Sequence, residues 1–249
     1  MKNVFAVYKK RGETPLECLE RFRDLNPKYK DEKMTYAGRL DPLAEGVLIL
    51  LAGDSCLEKE YFLNLPKTYE IVVLFGTATD TADLLGLVTK KDRLASENLH
   101  PKEILLESEK IIGTHNLPYP IFSSKTVEGK PLFAWAREGK SEDITLPKRD
   151  MRIFSSELVK VGKINSDDLE KAVFEATHIV NGDFRQEEIR EKWQKELADE
   201  EGFFTTANIT ISCASGSYMR SIAELLGDRL GLPALAFSIV RTKVGDYGI

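Results

Sequence analysis

A chain of 249 residues with 42% hydrophobic and 30% charged residues has the make-up of a folded globular protein, with room for one sizeable domain or two small ones, not of a disordered or fibrous one. A net charge of −5 argues against a strongly basic nucleic-acid binder. The charge is uneven, however: residues 1–40 hold ten Lys/Arg against six Asp/Glu, and residues 183–201 hold eight acids against four bases, which leaves room for a basic face. No segment has the apolar length needed to cross a bilayer, and Met1-Lys2-Asn3-Val4-Phe5-Ala6 lacks a signal-peptide pattern. Together with Cys18, Cys56 and Cys213, widely spaced and expected as buried thiols, this points to a reducing, cytoplasmic location.

In chain order, residues 5–8 read as a short strand and lead into the basic turn Lys9-Lys10-Arg11-Gly12. Thr14, Pro15 and Glu17 form an N-cap, a proline in the first helical turn and a capping-box acid, so a helix is predicted to run until Asn26-Pro27. In the stretch from Tyr36 to Leu50, Gly38 permits a tight turn or close approach, and Pro42 drives Asp41 out of the α region to the lip of a turn. Gly46 and the apolar run after it read as a buried strand or the start of a helix. Taken alone, Leu-Asp-Pro is an ordinary turn signal.

Further on, residues 55–64 read as a helix, residues 69–75 as a buried β-branched strand and residues 102–112 as a helix. Phe133 and Trp135 fall in a short helical stretch among bases, a pattern that suits either core packing or RNA stacking. A strand is expected over residues 149–161. A charged helix is expected over residues 185–198, turning Ile189, Trp193 and Leu197 onto the domain edge. Residues 207–213 alternate with period two, so Ile209, Ile211 and Cys213 share a face, and a helix follows from Tyr218 to about Gly231.

Several of these stretches resemble, in order, the motifs of the TruB family of tRNA pseudouridine synthases. Leu40-Asp41-Pro42-Leu43-Ala44-Glu45-Gly46 is similar to the family's Leu-Asp-Pro-x-Ala-x-Gly signature, better than to the Thr-Ser-Gly pattern that follows the aspartate in the RsuA and RluA groups. Lys67-Thr68-Tyr69, then Gly76 and Thr79-Asp80-Thr81-Ala82-Asp83, resemble the second motif. Residues 118–139 resemble the Pro-x-Tyr-Ser-Ala-x-Lys segment, with its lysine one position early and Phe133 for a tyrosine. Cys213 with Gly216-Ser217-Tyr218-Met219-Arg220 is similar to the Cys-Ser-x-Gly-Thr-Tyr-Ile-Arg block, and Ile239-Val240-Arg241-Thr242 to Leu-Arg-Arg-Thr. At the N-terminus Lys9, Gly12 and Thr14 match the loop that precedes the first helix.

The resemblance implies a pseudouridine synthase fold of the α/β (α+β) class: one catalytic domain over residues 1–249, with a mixed, largely antiparallel sheet flanked by helices and a cleft across it. It implies Asp41 as the nucleophile, Tyr69 beside the flipped base and Arg220 paired with Asp41. Tyr218 and Ile239 would wall the pocket, and Lys9 and Lys67 would contact RNA. Tyr36 stands where the family usually has a histidine that fills the emptied T-loop stack. Neither a metal nor a cofactor is implied. The leading substrate is the T-arm of tRNA, at uridine 55, and a monomer is expected. No room is seen for the C-terminal PUA module of many relatives, so weaker, strongly salt-dependent RNA binding is expected. The alternatives are a synthase for another RNA, such as ribosomal RNA, and an RNA-binding or tRNA-folding protein with little catalysis.

Overall fold

The computed structural model describes residues 3–198 and 200–248. Strand β1 (Val4–Lys9) leads to helix α1 (Pro15–Leu25), which starts with the expected capping box: the Thr14 hydroxyl accepts from the Glu17 amide, and the Glu17 carboxylate from the Thr14 amide. β2 (Met34–Ala37), β3 (Glu45–Ala52), α2 (Lys59–Asn64) and β4 (Lys67–Phe75) follow. The small hairpin β5 (Thr77–Thr79) and β6 (Val88–Lys91) precedes α3 (Arg93–Glu97), α4 (Pro101–Lys110) and β7 (Gly113–Pro118). A second small hairpin, β8 (Thr126–Val127) and β9 (Lys130–Pro131), runs into α5 (Leu132–Arg137) and then the long β10 (Lys148–Asn165). The helices α6 (Ser166–His178) and α7 (Gln186–Leu197) separate it from β11 (Phe203–Cys213), and α8 (Met219–Leu230), β12 (Ala234–Val244) and β13 (Tyr247–Gly248) complete the described chain.

The main sheet runs β1-β3-β12-β4-β11-β10-β7, with β2 added to β3 and β13 to β12. Every pairing in it is antiparallel except that of β12 with β3, so it is mixed and largely antiparallel, as expected. The apolar run after Gly46 resolves as a strand buried on both faces. Val47, Ile49 and Leu51 point to a core shared with Phe62 and Val244, while Leu48 and Leu50 point to Cys18 and Leu19 of α1. The largest core lies under α8, where Met219, Ile222, Ala223 and Leu226 cover Tyr69, Ile71, Val73 and the shared face of Ile209, Ile211 and Cys213.

The helix over residues 185–198 does more than lie along an edge. Ile189, Trp193 and Leu197 join Leu169 and Val173 of α6 in a second core with Leu74, Leu84, Phe204 and Leu235, and the Trp193 indole donates to the Gly86 carbonyl at 3.0 Å. Two helices on that face screen one another, so the charged face of α7 misrepresents its depth. The thiols of Cys18 and Cys213 are buried, but Cys56 is only half-buried.

Gly46 lies in the parallel pairing of β3 with β12, opposite Arg241. Its φ is +109°, and an added Cβ would lie 2.2 Å from the Arg241 carbonyl oxygen. We expect Gly46→Ala to cost about 3 kcal/mol or more in urea unfolding, because both the backbone and its neighbour must move. An unchanged unfolding midpoint would show that the β3–β12 junction yields easily.

Candidate active site

From β2 the chain turns at Gly38 into a short loop carrying Arg39, Leu40 and Asp41. Leu40, Leu43 and Ala44 are buried, plugging the loop into the core, and the Ala44 amide donates to the Asp41 carbonyl at 3.0 Å, closing the expected turn. The loop is also tied from behind. The Lys9 ammonium, with 0% exposure, donates to the carbonyl oxygens of Lys10 (3.2 Å), Pro42 (3.3 Å) and Ala44 (2.5 Å). Burial lowers its pKa to about 8, with nearby acidic groups opposing. Lys9 is thus a buried brace of the Asp41 loop and does not line the cleft, in contrast to its expected contact with RNA.

Arg220, in the first turn of α8, meets that loop from the opposite side and is 3% exposed. Its Nε donates to Asp41 Oδ2 at 2.8 Å, Nη1 to the Thr81 carbonyl at 2.9 Å and Nη2 to the Phe122 carbonyl at 3.2 Å. One planar fork therefore joins the Asp41 loop, the loop after β5 and the segment before β8, through hydrogen bonds strengthened by charge. Asp83 stands behind, its Oδ2 3.9 Å from Arg220 Nε. Burial by itself would lower the basicity of Arg220, but Asp41 and Asp83 outweigh it and raise it above its ordinary value. Burial pushes the Asp83 carboxyl up, although Arg220 and the Thr81 hydroxyl pull it down. The two acids on one arginine thus differ: the Asp41 side chain keeps 37% exposure toward the cleft, and that of Asp83 only 11%.

The cleft above them has a volume of about 910 Å³, within the usual size range for ligand sites. Tyr36, Asp41, Lys67, Tyr69, Tyr218, Arg220 and Ile239 all line it, so elements far apart in sequence bring together every expected site residue but Lys9. Tyr218 meets Tyr119 edge-on with ring centroids 5.6 Å apart, and the Lys59 ammonium lies 5.7 Å from the Tyr36 ring. Burial raises the Tyr69 phenol, as it does that of Tyr218. Lys67 is turned from the opening, donating to the Leu63 and Leu65 carbonyls at 2.5 and 2.6 Å, and burial, helped by Arg241, lowers its pKa to about 8.

Five further cations line the cleft that sequence reasoning did not place there: Arg39, Arg137, Arg149, Arg185 and Arg241. Arg185, with a φ of +60°, pairs with Asp80 at 2.7 Å and lies 4.7 Å from the centre of the Phe122 ring. Arg241 was visible only as part of a terminal motif. An arginine in an alternating strand gives no local sign of burial, so no signal in the sequence separates it from a surface cation.

The site therefore presents a partly exposed carboxylate braced by a buried arginine, under aromatic walls and cationic flanks, on a mixed sheet. Residues 26–179 match the N-terminal domain of the TruB family of pseudouridylate synthases, more than half of the chain, and the protein belongs to that family. It is 29% identical to tRNA pseudouridine synthase B of Lactobacillus johnsonii over 100% of this chain and 70% of that protein. It is also 29% identical to tRNA pseudouridine synthase B of Bacillus licheniformis, over 98% of this chain and 65% of the relative. Among solved structures, a chain of a Cbf5–Nop10–Gar1 complex shares the fold with a TM-score of 0.60 at 15% identity, over 98% of this chain and 49% of that one. The chain therefore spans about half of that structure and about two thirds of the curated relatives. Among the described residues no helix is long and apolar enough to cross a membrane.

Proposed function

We propose that this protein converts uridine to pseudouridine in the T-loop of tRNA, at position 55, with Asp41 as nucleophile. The observation that carries the reading is the Asp41–Arg220 contact of 2.8 Å beside the aromatic cleft, because it holds a partly exposed carboxylate in one orientation toward the cleft. The names of the relatives support tRNA as the substrate. In this reading the uridine is extruded from its stack into the cleft, where Tyr69 lies against it and Tyr218 and Ile239 close the walls. Asp41 bonds to the nucleotide and the bond from C1′ to N1 breaks; the base turns, C5 joins C1′, the bond to Asp41 is released, the C5 hydrogen passes to solvent as a proton and N1 takes one up. Tyr36 offers its ring to the stack that the uridine has left. A single catalytic unit acting as a monomer accounts for the site, since this chain supplies each of these groups.

The test is tritium release from C5-labelled uridine in a T-arm transcript, compared with fragments of ribosomal RNA. Release from the T-arm is expected. Release from ribosomal fragments alone would move the substrate to another RNA, and binding without release from either would make the protein a binder.

The placement of Lys9 yields a separate prediction. Lys9→Met should leave T-arm affinity and its salt slope nearly unchanged, because the ammonium reaches no phosphate, while lowering kcat about tenfold or more as the Asp41 loop loosens. A phosphate contact would instead weaken binding and reduce the salt slope by about one.

A further inference from the structure

Arg241 is 1% exposed, yet it lies on the floor of the cleft and forms no ion pair among the described residues. Its Nε donates to the Val47 carbonyl at 2.7 Å and its Nη1 to the Arg39 carbonyl at 3.3 Å, but Nη2 is buried with no partner. A buried, charged donor left open is costly, and such a group is kept where a ligand or a reacting side chain uses it. The strand register shows what lies opposite. Arg241 on β12 pairs with Tyr69 on β4, so the two side chains share a face. The register shifts immediately afterwards, between Arg241 and Lys243, and a bulge of this kind re-aims the side chain beside it.

We propose that Arg241 is a positioning residue acting through Tyr69: its guanidinium donates to the phenolic oxygen, so the hydroxyl hydrogen of Tyr69 is turned into the cleft as a donor to an oxygen of the bound nucleotide. This rests on the reading of the cleft as a uridine site. The polarity follows from chemistry. A guanidinium carries donors only, so a phenol beside it must accept, and its own hydrogen is left for another partner. Burial raises the phenol and favours its protonated form, with the charge of Arg241 opposing; Cys213 on β11 and Asp41 in its loop add to the rise. Tyr69 therefore enters the reaction as a hydrogen-bond donor, and Arg241 sets its direction without touching substrate.

Two measurements test this. In the free protein, carbon-13 labelling at tyrosine Cζ lets Tyr69 be followed by NMR, its signal assigned by loss in Tyr69→Phe. Arg241→Met should raise its titration midpoint by about one unit or more, and Arg241→Lys, which keeps the charge, should restore most of the shift. An unmoved midpoint in folded Arg241→Met would overturn the proposal, whatever RNA the protein acts on. The second is a double-mutant cycle on single-turnover tritium release. Arg241→Lys and Tyr69→Phe are each expected to slow release about tenfold or more, while the double variant is no slower than Tyr69→Phe by more than about threefold. Effects that multiply would mean that Arg241 only holds the loop and would also overturn it. A wild-type protein that releases no tritium refutes the proposed function instead, and the NMR shift still decides whether the contact exists.

Discussion

Asp41→Asn is expected to reduce tritium release from a T-arm transcript by about 10⁴-fold or more while the protein stays folded and binds the RNA. Asparagine has almost the same shape, so the turn closed by the Ala44 amide and the buried Leu40 survive. What is lost is the negative charge, and with it the nucleophilicity that the proposed reaction asks of Asp41. Arg220 keeps Asp83 at 3.9 Å and its bonds to the Thr81 and Phe122 carbonyls, so it is not stranded. Because the Asp41 side chain is 37% exposed, water screens the missing charge and the loss of stability should be no more than about 1–2 kcal/mol. RNA affinity should hold or rise slightly, since the substitution removes one negative charge from the cleft proposed to take a polyanion. Substantial release by this variant would remove Asp41 as nucleophile.

Arg220→Met should be the more damaging change to the fold. It leaves Asp41 and Asp83 without their shared cation and strips donors from the Thr81 and Phe122 carbonyls. Truncating a buried partner of this kind costs about 3–5 kcal/mol, and kcat should fall about 10³-fold as Asp41 loses its aim. The sign of the pH dependence follows from Asp83, whose pKa is raised in the folded state. Its proton is held longer folded than unfolded, so its contribution is fully present below the ordinary carboxylate range and is lost as pH rises through the raised value. Without Arg220 that loss grows. The stability gap between Arg220→Met and wild type should therefore be larger near pH 8 than near about pH 5, as read by urea unfolding at both. Arg220→Lys should fall between the two, because an ammonium can serve Asp41 but not span both carbonyls. A gap that is independent of pH would show that the carbonyl bonds, and not the carboxylates, make Arg220 necessary.

Features set by short-range chemistry were legible in the sequence. Thr14-Pro15-Leu16-Glu17 specified a capped helix, Leu-Asp-Pro a turn with Asp41 at its lip, and the alternation over residues 207–213 a strand with one apolar face. The motif order also pointed to the partnership of Asp41 and Arg220, residues separated by 179 positions, and to the mixed, largely antiparallel sheet. The α6 helix was missed, and the depth of α7 misjudged, because each depends on the other helix and on the sheet beneath to bury its apolar face.

The tertiary structure alone decided which cations are buried and where they point. Lys9, Lys67 and Arg241 look in sequence like any solvated base, but the register of β1, β4 and β12 turns all three inward. There the groups that meet them are main-chain carbonyls contributed by other segments: Pro42 and Ala44 for Lys9, Leu63 and Leu65 for Lys67, Val47 and Arg39 for Arg241. Carbonyl oxygens are present at every residue whatever its side chain, so no residue pattern announces them. Which side chain captures them is fixed only when the strands come together.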